Sequence, residues 1–428
     1  MSYFGTDGIR RKSEFFDKDF LYNFSLGLTV LPDCRKIVIG RDTRLSGERI
    51  VETVTKALLS HGIDVVDVGI VPSPCLALCA RELGCDYGLM VTASHNPPSF
   101  NGLKLFSSDG SKLSVSLEKR VEKYLEEPFY IPSQKGAFDR ADGYELYLKH
   151  AQSIFPPVQN KKILMDCAYG AASGFADRIF RDLGAEVVAV CNEKRGEKIN
   201  IRCGATDISH VIGLYSADFD AAFACDGDAD RVICYKDKIY DGDALVYLAA
   251  LHSLQNGKLR KNAVCGTVTT NSAYENAYLE KGISFYRSGV GDREVHTLMR
   301  LTGANIGGET SGHVIFDDVL QTGDGLFTAA VFCSLSNELR AYGLTDIRPN
   351  PTCHTEILLN EKDADFLRSR RSDGVFSNKD GVYALVRVSG TEPMIRILTE
   401  SKDLKKAEEK MIDLRKRAWE VILDNKLD

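Results

Sequence analysis

Lys36-Ile37-Val38-Ile39-Gly40-Arg41-Asp42-Thr43-Arg44-Leu45-Ser46-Gly47 decides how the chain is read. The apolar run is a short buried strand, and the charged residues after it form a loop. Over 47–60, Ile50, Val54, Ala57 and Leu58 then fall at helical spacing. A second strand, Asp64-Val65-Val66-Asp67-Val68-Gly69, leads through Val71-Pro72-Ser73-Pro74 to a helix over 75–83, and Tyr87-Gly88-Leu89-Met90-Val91 is a third strand. Strand, loop, helix, strand is the grammar of a parallel α/β sheet. It recurs where Lys161-Lys162-Ile163-Leu164-Met165-Asp166 runs into a helix near 174–183, and where Asn262-Ala263-Val264-Cys265-Gly266-Thr267 runs into one near 272–281. The expected fold is therefore α/β, with three tandem related domains. After Asp346-Ile347-Arg348-Pro349-Asn350-Pro351 the pattern changes to short strands (His354 to Leu359, Tyr383 to Val388, Met394 to Thr399) and a charged helix, Asp403 to Val421. That is a smaller C-terminal α+β domain. The expected boundaries are 1–153, 154–239, 240–347 and 348–428.

Hydrophobic content of 44% and charged content of 27% describe a globular chain with ample core. A net charge of −6 argues against nucleic-acid binding, which needs a basic face, so an anionic ligand requires a local cationic pocket. The 12 Cys lie mostly in apolar runs without a paired Cys-x-x-Cys, which reads as reduced core thiols and a cytoplasmic setting. No apolar run has the length of a membrane span, and the first residues lack the basic-then-apolar order of a signal peptide.

The chemistry gathers in loops. Ala224-Cys225-Asp226-Gly227-Asp228-Ala229-Asp230-Arg231 follows an apolar run with three alternating carboxylates. On an extended backbone alternate side chains point one way, so the three would converge where no core accepts them unpaired. All-oxygen ligands suit Mg²⁺; the other reading is an acidic turn. A calcium EF-hand loop fails, because Arg231 stands at its sixth position and Asp237 at its twelfth. Thr92-Ala93-Ser94-His95-Asn96-Pro97-Pro98 leaves the third strand with a hydroxyl, an imidazole and an amide side by side, and Lys104 follows; a strand-exit turn capped by Ser94 is the alternative. The flanks of Ser94 do not match a serine-hydrolase elbow. Gly307-Gly308-Glu309-Thr310-Ser311-Gly312-His313 suits hydrogen bonds to a sugar, and Arg387-Val388-Ser389-Gly390-Thr391-Glu392-Pro393 with Arg396 suits a phosphate cradle, against a tight turn and a hairpin turn respectively. Phe4-Gly5-Thr6-Asp7-Gly8-Ile9-Arg10 reads equally as a ligand wrap or a plain turn, and Asp324 as a helix cap.

Taken together, the loops at Thr92–Pro97, Asp226–Arg231, Gly308–His313 and Arg387–Pro393 resemble, in order and spacing, the four signature loops of the α-D-phosphohexomutases. The resemblance runs from Phe4 to Arg396 and implies three related α/β domains plus a C-terminal domain. It also implies a phosphoserine at Ser94 and Mg²⁺ on Asp226, Asp228, Asp230 and the Ser94 phosphate. Glu309, Ser311, Arg387, Ser389, Gly390, Thr391 and Arg396 then bind substrate. Lys104 is the first candidate for general acid/base and His313 the second, with His95, Arg10 and Arg231 completing the catalytic set. The implied reaction moves phosphate between two oxygens of a hexosamine or hexose phosphate through a sugar 1,6-bisphosphate, in a monomer or homodimer. Within the family the chain is most similar to the branch acting on glucosamine phosphates, from which it departs at Ala229, Gly289 and Thr310, with Arg287 the expected replacement for a cation at 289. The alternatives are a glucose or mannose phosphate as substrate, a non-catalytic sugar-phosphate binder, and a Mg²⁺ phosphatase working through Ser94.

Overall fold

The computed structural model describes residues 3–126, 135–369, 377–379, 381–389 and 393–424. Its strands form four sheets. In the first, Lys36–Arg41 lies between Asp64–Ile70 and Tyr87–Val91, parallel to both, and Tyr87–Val91 turns back antiparallel into Phe100–Ser107. In the second, Lys162–Asp166 lies parallel between Glu186–Val190 and Ala221–Cys225, and the latter turns back into Val232–Tyr235. In the third, Ala263–Thr267 lies parallel between Ser284–Ser288 and Ile306–Gly308, which turns back into Val314–Phe316. The three sheets thus repeat one plan, as the strand–helix repeats predict. Helices cover the central strands, so Tyr87–Val91, Ala221–Cys225 and Ala263–Thr267 are buried along their whole length and their sequences are apolar without alternation.

The repeat has a consequence for function. The turn from third to fourth strand is the same topological position in each unit, and it carries Ser94 in the first, the three aspartates in the second and Glu309 in the third. One continuous apolar core, including Leu76, Phe175, Phe223, Tyr247 and Phe332, runs through all three units and fixes these turns relative to one another.

The fourth sheet is wholly antiparallel: Thr352–Leu358, Met394–Ser401, Val382–Val388 and Ser377–Lys379 in that spatial order. The helix Leu404–Asp424 covers it over a separate small core of Ile357, Ile395, Ile397, Met411 and Ile422. Glu400 and Tyr383 dock this unit on the third: the Glu400 carboxylate accepts from Ser272 N–H at 3.0 Å, and the Tyr383 hydroxyl donates to the Val268 carbonyl at 2.7 Å. At the other end of the chain, Ile9–Lys12 is an unforeseen edge strand against Phe100–Ser107. It makes the Gly-rich start a wrap that brings Asp7 and Arg10 beside the Ser94 turn. No helix among the described residues is long and apolar enough to cross a membrane. All twelve cysteines are free thiols, ten of them buried.

Candidate active site

Ser94 sits at φ +48°, a left-handed conformation that persists in a residue with a side chain only when its surroundings hold it there. Its N–H donates to Thr92 Oγ1 (2.9 Å), whose hydroxyl donates to Asp42 Oδ2 (2.6 Å). Asp42 in turn accepts from Arg44 N–H and Nε, both at 2.9 Å. Arg44 is fully buried, and its guanidinium donates to the carbonyls of Ser94 (2.9 Å), Asn96 (2.7 Å), Pro97 and Phe100 (2.9 Å). From the second unit, Asn200 Nδ2 donates to the Ser94 carbonyl at 2.8 Å. Each support spends itself on main chain, which leaves the Ser94 hydroxyl to donate to Asp226 Oδ2 at 2.6 Å. Arg44, Asp42 and Asn200 escaped the sequence reading. The available signal was that Asp42-Thr43-Arg44 leaves a central strand at the same sheet edge as Ser94.

The aspartates converge, though not by strand alternation. Ala221–Cys225 ends before Asp226, and residues 226–231 curl into a tight turn with Ala229 at φ +56°. The curl brings one carboxylate oxygen each of Asp226, Asp228 and Asp230 within 4.8 Å of the others. Gly227 permits the approach: a Cβ there would lie 2.5 Å from the Ser94 carbonyl oxygen. All three carboxylates are buried. Burial and the charges of Asp230 and Asp228 push the Asp226 carboxyl up to about 8. Lys104, also buried, bridges Asp228 (2.7 Å), Asp230 (2.9 Å) and Asp7 (2.9 Å). One ammonium does not saturate the cluster, and Asp228 Oδ1 and Asp230 Oδ1 remain buried without a hydrogen-bond partner. Crowded hard oxygens with orphaned lone pairs fit a divalent cation such as Mg²⁺.

Cations ring this pair of turns. Arg10 pairs with Asp7 and reaches Asn96 Oδ1 at 3.5 Å; Asp7 also pairs with Lys112, which continues to Asp292. Arg231 Nη1 donates to His95 Nδ1 at 3.2 Å. Burial, then Arg231 and Arg10, lower His95 to about 3, so the ring is neutral and its Nδ1 is an acceptor. His313 takes a different place from the one expected of a proton donor to substrate: only 1% exposed, it lies behind the acid turn, where Nε2 accepts from Gly323 N–H (3.0 Å) and Nδ1 faces Asp230 at 3.7 Å.

In the third unit, Glu309 Oε1 accepts from Gly291 N–H at 3.0 Å, and Ser311 is exposed on the same turn. Thr310 turns inward and donates to Asp243 Oδ1 at 3.1 Å. Arg287 corrects an expectation. It is committed to Glu275 (2.7 Å) and the Thr270 carbonyl (2.7 Å), beneath the Tyr383 ring, and does not replace a ligand-facing cation at Gly289. In the fourth unit Arg387 and Arg396 stand directly opposite on adjacent strands. Two like charges in that register repel, an arrangement that an anion between them would reward. Arg396 also pairs with Glu356 at 3.2 Å, and Ser389 is buried next to Arg387 with its N–H on the Met394 carbonyl. Gly390 and Thr391 lie outside the described residues.

Family models for phosphoglucomutase/phosphomannomutase match the chain at residues 1–130 (alpha/beta/alpha domain I), 241–345 (alpha/beta/alpha domain III) and 361–416 (C-terminal domain). A phosphoglucosamine mutase of Thermoanaerobacter is 36% identical over 94% of this chain and 95% of its own length. The chain belongs to the α-D-phosphohexomutase family. A phosphoglucosamine mutase of Campylobacter jejuni is 33% identical over 96% of this chain and 97% of its own. Among solved structures, a phosphoglucomutase/phosphomannomutase family protein of Burkholderia thailandensis superposes with a TM-score of 0.82 at 24% identity, covering 98% of this chain and 97% of its own. An N-acetylphosphoglucosamine mutase of Aspergillus fumigatus, solved with GlcNAc-6P and magnesium, superposes at 0.65 with 17% identity over 96% and 94%.

Proposed function

We propose that this phosphohexomutase interconverts glucosamine 6-phosphate and glucosamine 1-phosphate, with Ser94 as the phosphoryl store. The observation that carries the reading is the 2.6 Å contact between the Ser94 hydroxyl and Asp226, which joins a backbone-locked nucleophile to a cation-hungry acid cluster. Identity to phosphoglucosamine mutases over nearly the whole chain supports the amino-sugar substrate.

From phosphorylated Ser94, transfer breaks the bond between phosphorus and Oγ and forms one to the free sugar hydroxyl; the proton that hydroxyl loses is matched by the one Oγ gains, so the products are the 1,6-bisphosphate and Ser94 with its hydroxyl restored. After the bisphosphate turns end for end, the other phosphate returns to Ser94 and the released sugar oxygen regains a proton. Mg²⁺ held by Asp226, Asp228 and Asp230 supplies charge neutralisation at the transferring group. Lys104, as the ammonium, delivers a proton from Nζ to the leaving oxygen and is restored by the proton that the attacking hydroxyl loses. The carboxylates of Asp228, Asp230 and Asp7 overcome burial and favour its ammonium form, which suits protonation of the leaving oxygen. Arg10 and Arg231 stabilise the same charge. Arg387, Ser389, Arg396, Gly390 and Thr391 grip the phosphate that is not reacting, so one cradle serves both orientations, and Glu309 and Ser311 read hydroxyls common to both. The Thr310 hydroxyl is already committed to Asp243, so the reading contacts are assigned to its neighbours Glu309 and Ser311.

The test is one assay panel with glucosamine, glucose and mannose phosphates, Mg²⁺ and a bisphosphate primer. The glucosamine isomers should exchange fastest, without release of inorganic phosphate, and Ser94→Ala should lower kcat about a thousandfold or more while removing the phosphate from the intact mass. Faster exchange of glucose or mannose phosphates assigns the enzyme to that branch; phosphate release without isomer formation makes it a phosphatase.

A further inference from the structure

A second cluster of ligand-type side chains stands in the second unit, apart from the Ser94 site. Asp166 closes the strand Lys162–Asp166 and Cys191 follows its parallel neighbour Glu186–Val190, in a register that pairs Asp166 with Val190. Both therefore emerge at one sheet edge. Cys203 immediately precedes the short turn Gly204–Thr206, and His210 is the second residue of the helix Ser209–Leu214. One carboxylate oxygen of Asp166 and the two sulfurs lie within 4.8 Å of one another. His210 Nδ1 lies 3.2 Å from Asp166 Oδ2 and 3.7 Å from Cys191 Sγ.

We infer that Asp166, Cys191, Cys203 and His210 form a structural site for a borderline-soft divalent cation of the Zn²⁺ class. Tetrahedral zinc with its usual bond lengths separates nitrogen from oxygen by about 3.3 Å and nitrogen from sulfur by about 3.6 Å, close to the two spacings here. Asp166 is already oriented as a ligand. Its Oδ1 accepts from Ala168 N–H at 2.8 Å and its Oδ2 from Gly204 N–H at 3.0 Å, the kind of support that holds a ligating carboxylate in place. Entry is from the side of His210, whose side chain is 38% exposed and is the ligand with room to adjust. Thiol ligands separate this site from the all-oxygen Asp226 cluster, which prefers a hard cation. Binding converts both thiols to thiolates and releases two protons to solvent per cation. The cation would staple the segment from Cys191 to Cys203, and that segment carries Asn200, which holds the Ser94 carbonyl. The site braces the nucleophile turn from behind and takes no part in the chemistry.

The experiment uses the full chain, stripped with a chelator under reducing conditions and titrated with Co²⁺. One equivalent should produce thiolate-to-cobalt charge-transfer absorption, which oxygen ligands cannot give, and Zn²⁺ should displace it. Cys191→Ser, at a half-buried position, should cut the band per bound Co²⁺ by about half or more, as should Cys203→Ser, because one of the two thiolates is lost in each. If the buried Cys203 variant does not fold, His210→Ala carries the second arm. It should weaken Co²⁺ binding by at least about tenfold, the loss expected even when a residue that merely orients a ligand is removed. Zn²⁺ loading should slow amide exchange across residues 196–204 in the wild-type chain and leave it unchanged in Cys191→Ser. No charge-transfer band in the fully reduced protein, or a band undiminished in Cys191→Ser, overturns the assignment. So does a Cys191–Cys203 disulfide in the protein isolated under reducing conditions.

Discussion

The Ser94 turn and the Asp226 turn occupy the same position in two copies of one sheet plan, and each contains a non-glycine residue in the left-handed region, Ser94 at +48° and Ala229 at +56°. They are stabilised in opposite ways. Around Ser94, Arg44, Thr92 and Asn200 satisfy the main chain, so the serine is positioned before any ligand arrives. Around Asp226 the acceptors outnumber the donors, and two buried carboxylate oxygens have no hydrogen bond. One turn is finished by the protein; the other keeps acceptors that a cation could fill. For the proposed transfer this division is useful, since a serine already in place would meet a charge-neutralising partner that is complete only when a cation is bound.

The sharpest way to break the contrast is at Arg44. Arg44→Met strands a buried Asp42 and removes the donors of four carbonyls. A loss of about 3–5 kcal/mol is expected, as when one partner of a buried pair is removed. Urea unfolding should give the same loss with and without Mg²⁺. A loss below about 1 kcal/mol, or one that Mg²⁺ repairs, would mean that the Ser94 turn also depends on the cation.

Next in size is Asp226→Asn, which should act in the other direction on stability. The Asp226 carboxyl is raised to about 8 by burial and its neighbours, above the value of an unfolded chain. The native state then binds the extra proton across that interval, so in metal-free protein this group's contribution is complete at low pH and is lost as pH rises toward about 8. The neutral amide escapes that loss. Metal-free Asp226→Asn should equal or exceed wild-type Tm at pH 8, while Mg²⁺ should no longer raise Tm and turnover should fall about a hundredfold or more. A variant less stable than wild type without metal would show that the cluster is not crowded.

Much of this arrangement is legible in the sequence, for identifiable reasons. Buried parallel strands read as uninterrupted apolar runs, so Lys36–Arg41, Lys162–Asp166 and Ala263–Thr267 announced the repeat, and the helix over Gly47–Ser60 was plain from its spacing. The four loops could be named because Gly, Asp, Ser and Arg cluster there against core periodicity. Contacts between distant segments were not legible. Nothing local says that Arg44 would serve carbonyls near Ser94, that Asn200 would cross from the second unit, or that Arg287 would be consumed by Glu275 and Tyr383. The Asp166–Cys191–Cys203–His210 group was invisible for the same reason: its members are spread over 45 positions, from 166 to 210, and meet only through sheet register. The aspartates were rightly grouped, but by the wrong geometry, since alternation along a strand is not what gathers them.

The smallest expected effect concerns Ala229, the left-handed residue of the acid turn. A left-handed alanine costs roughly 1–2 kcal/mol relative to glycine. Against that, its methyl is fully buried in the shared core, which contributes about 0.8 kcal/mol, and alanine restricts the unfolded chain by roughly a further 0.4–1 kcal/mol. The opposing terms nearly cancel, which explains how the turn tolerates a side chain at that dihedral. Ala229→Gly should therefore shift Tm by less than about 2 °C in either direction. The backbone is also pinned on both sides, because Ala229 N–H donates to the Asp226 carbonyl and the Ala229 carbonyl accepts from Gly325 N–H, both at 3.2 Å. Mg²⁺ affinity should accordingly change by less than about threefold, well under the roughly 1.4 kcal/mol of a full decade. A larger loss of affinity would show that the buried methyl, and not these two hydrogen bonds, holds the acid turn in its cation-ready shape.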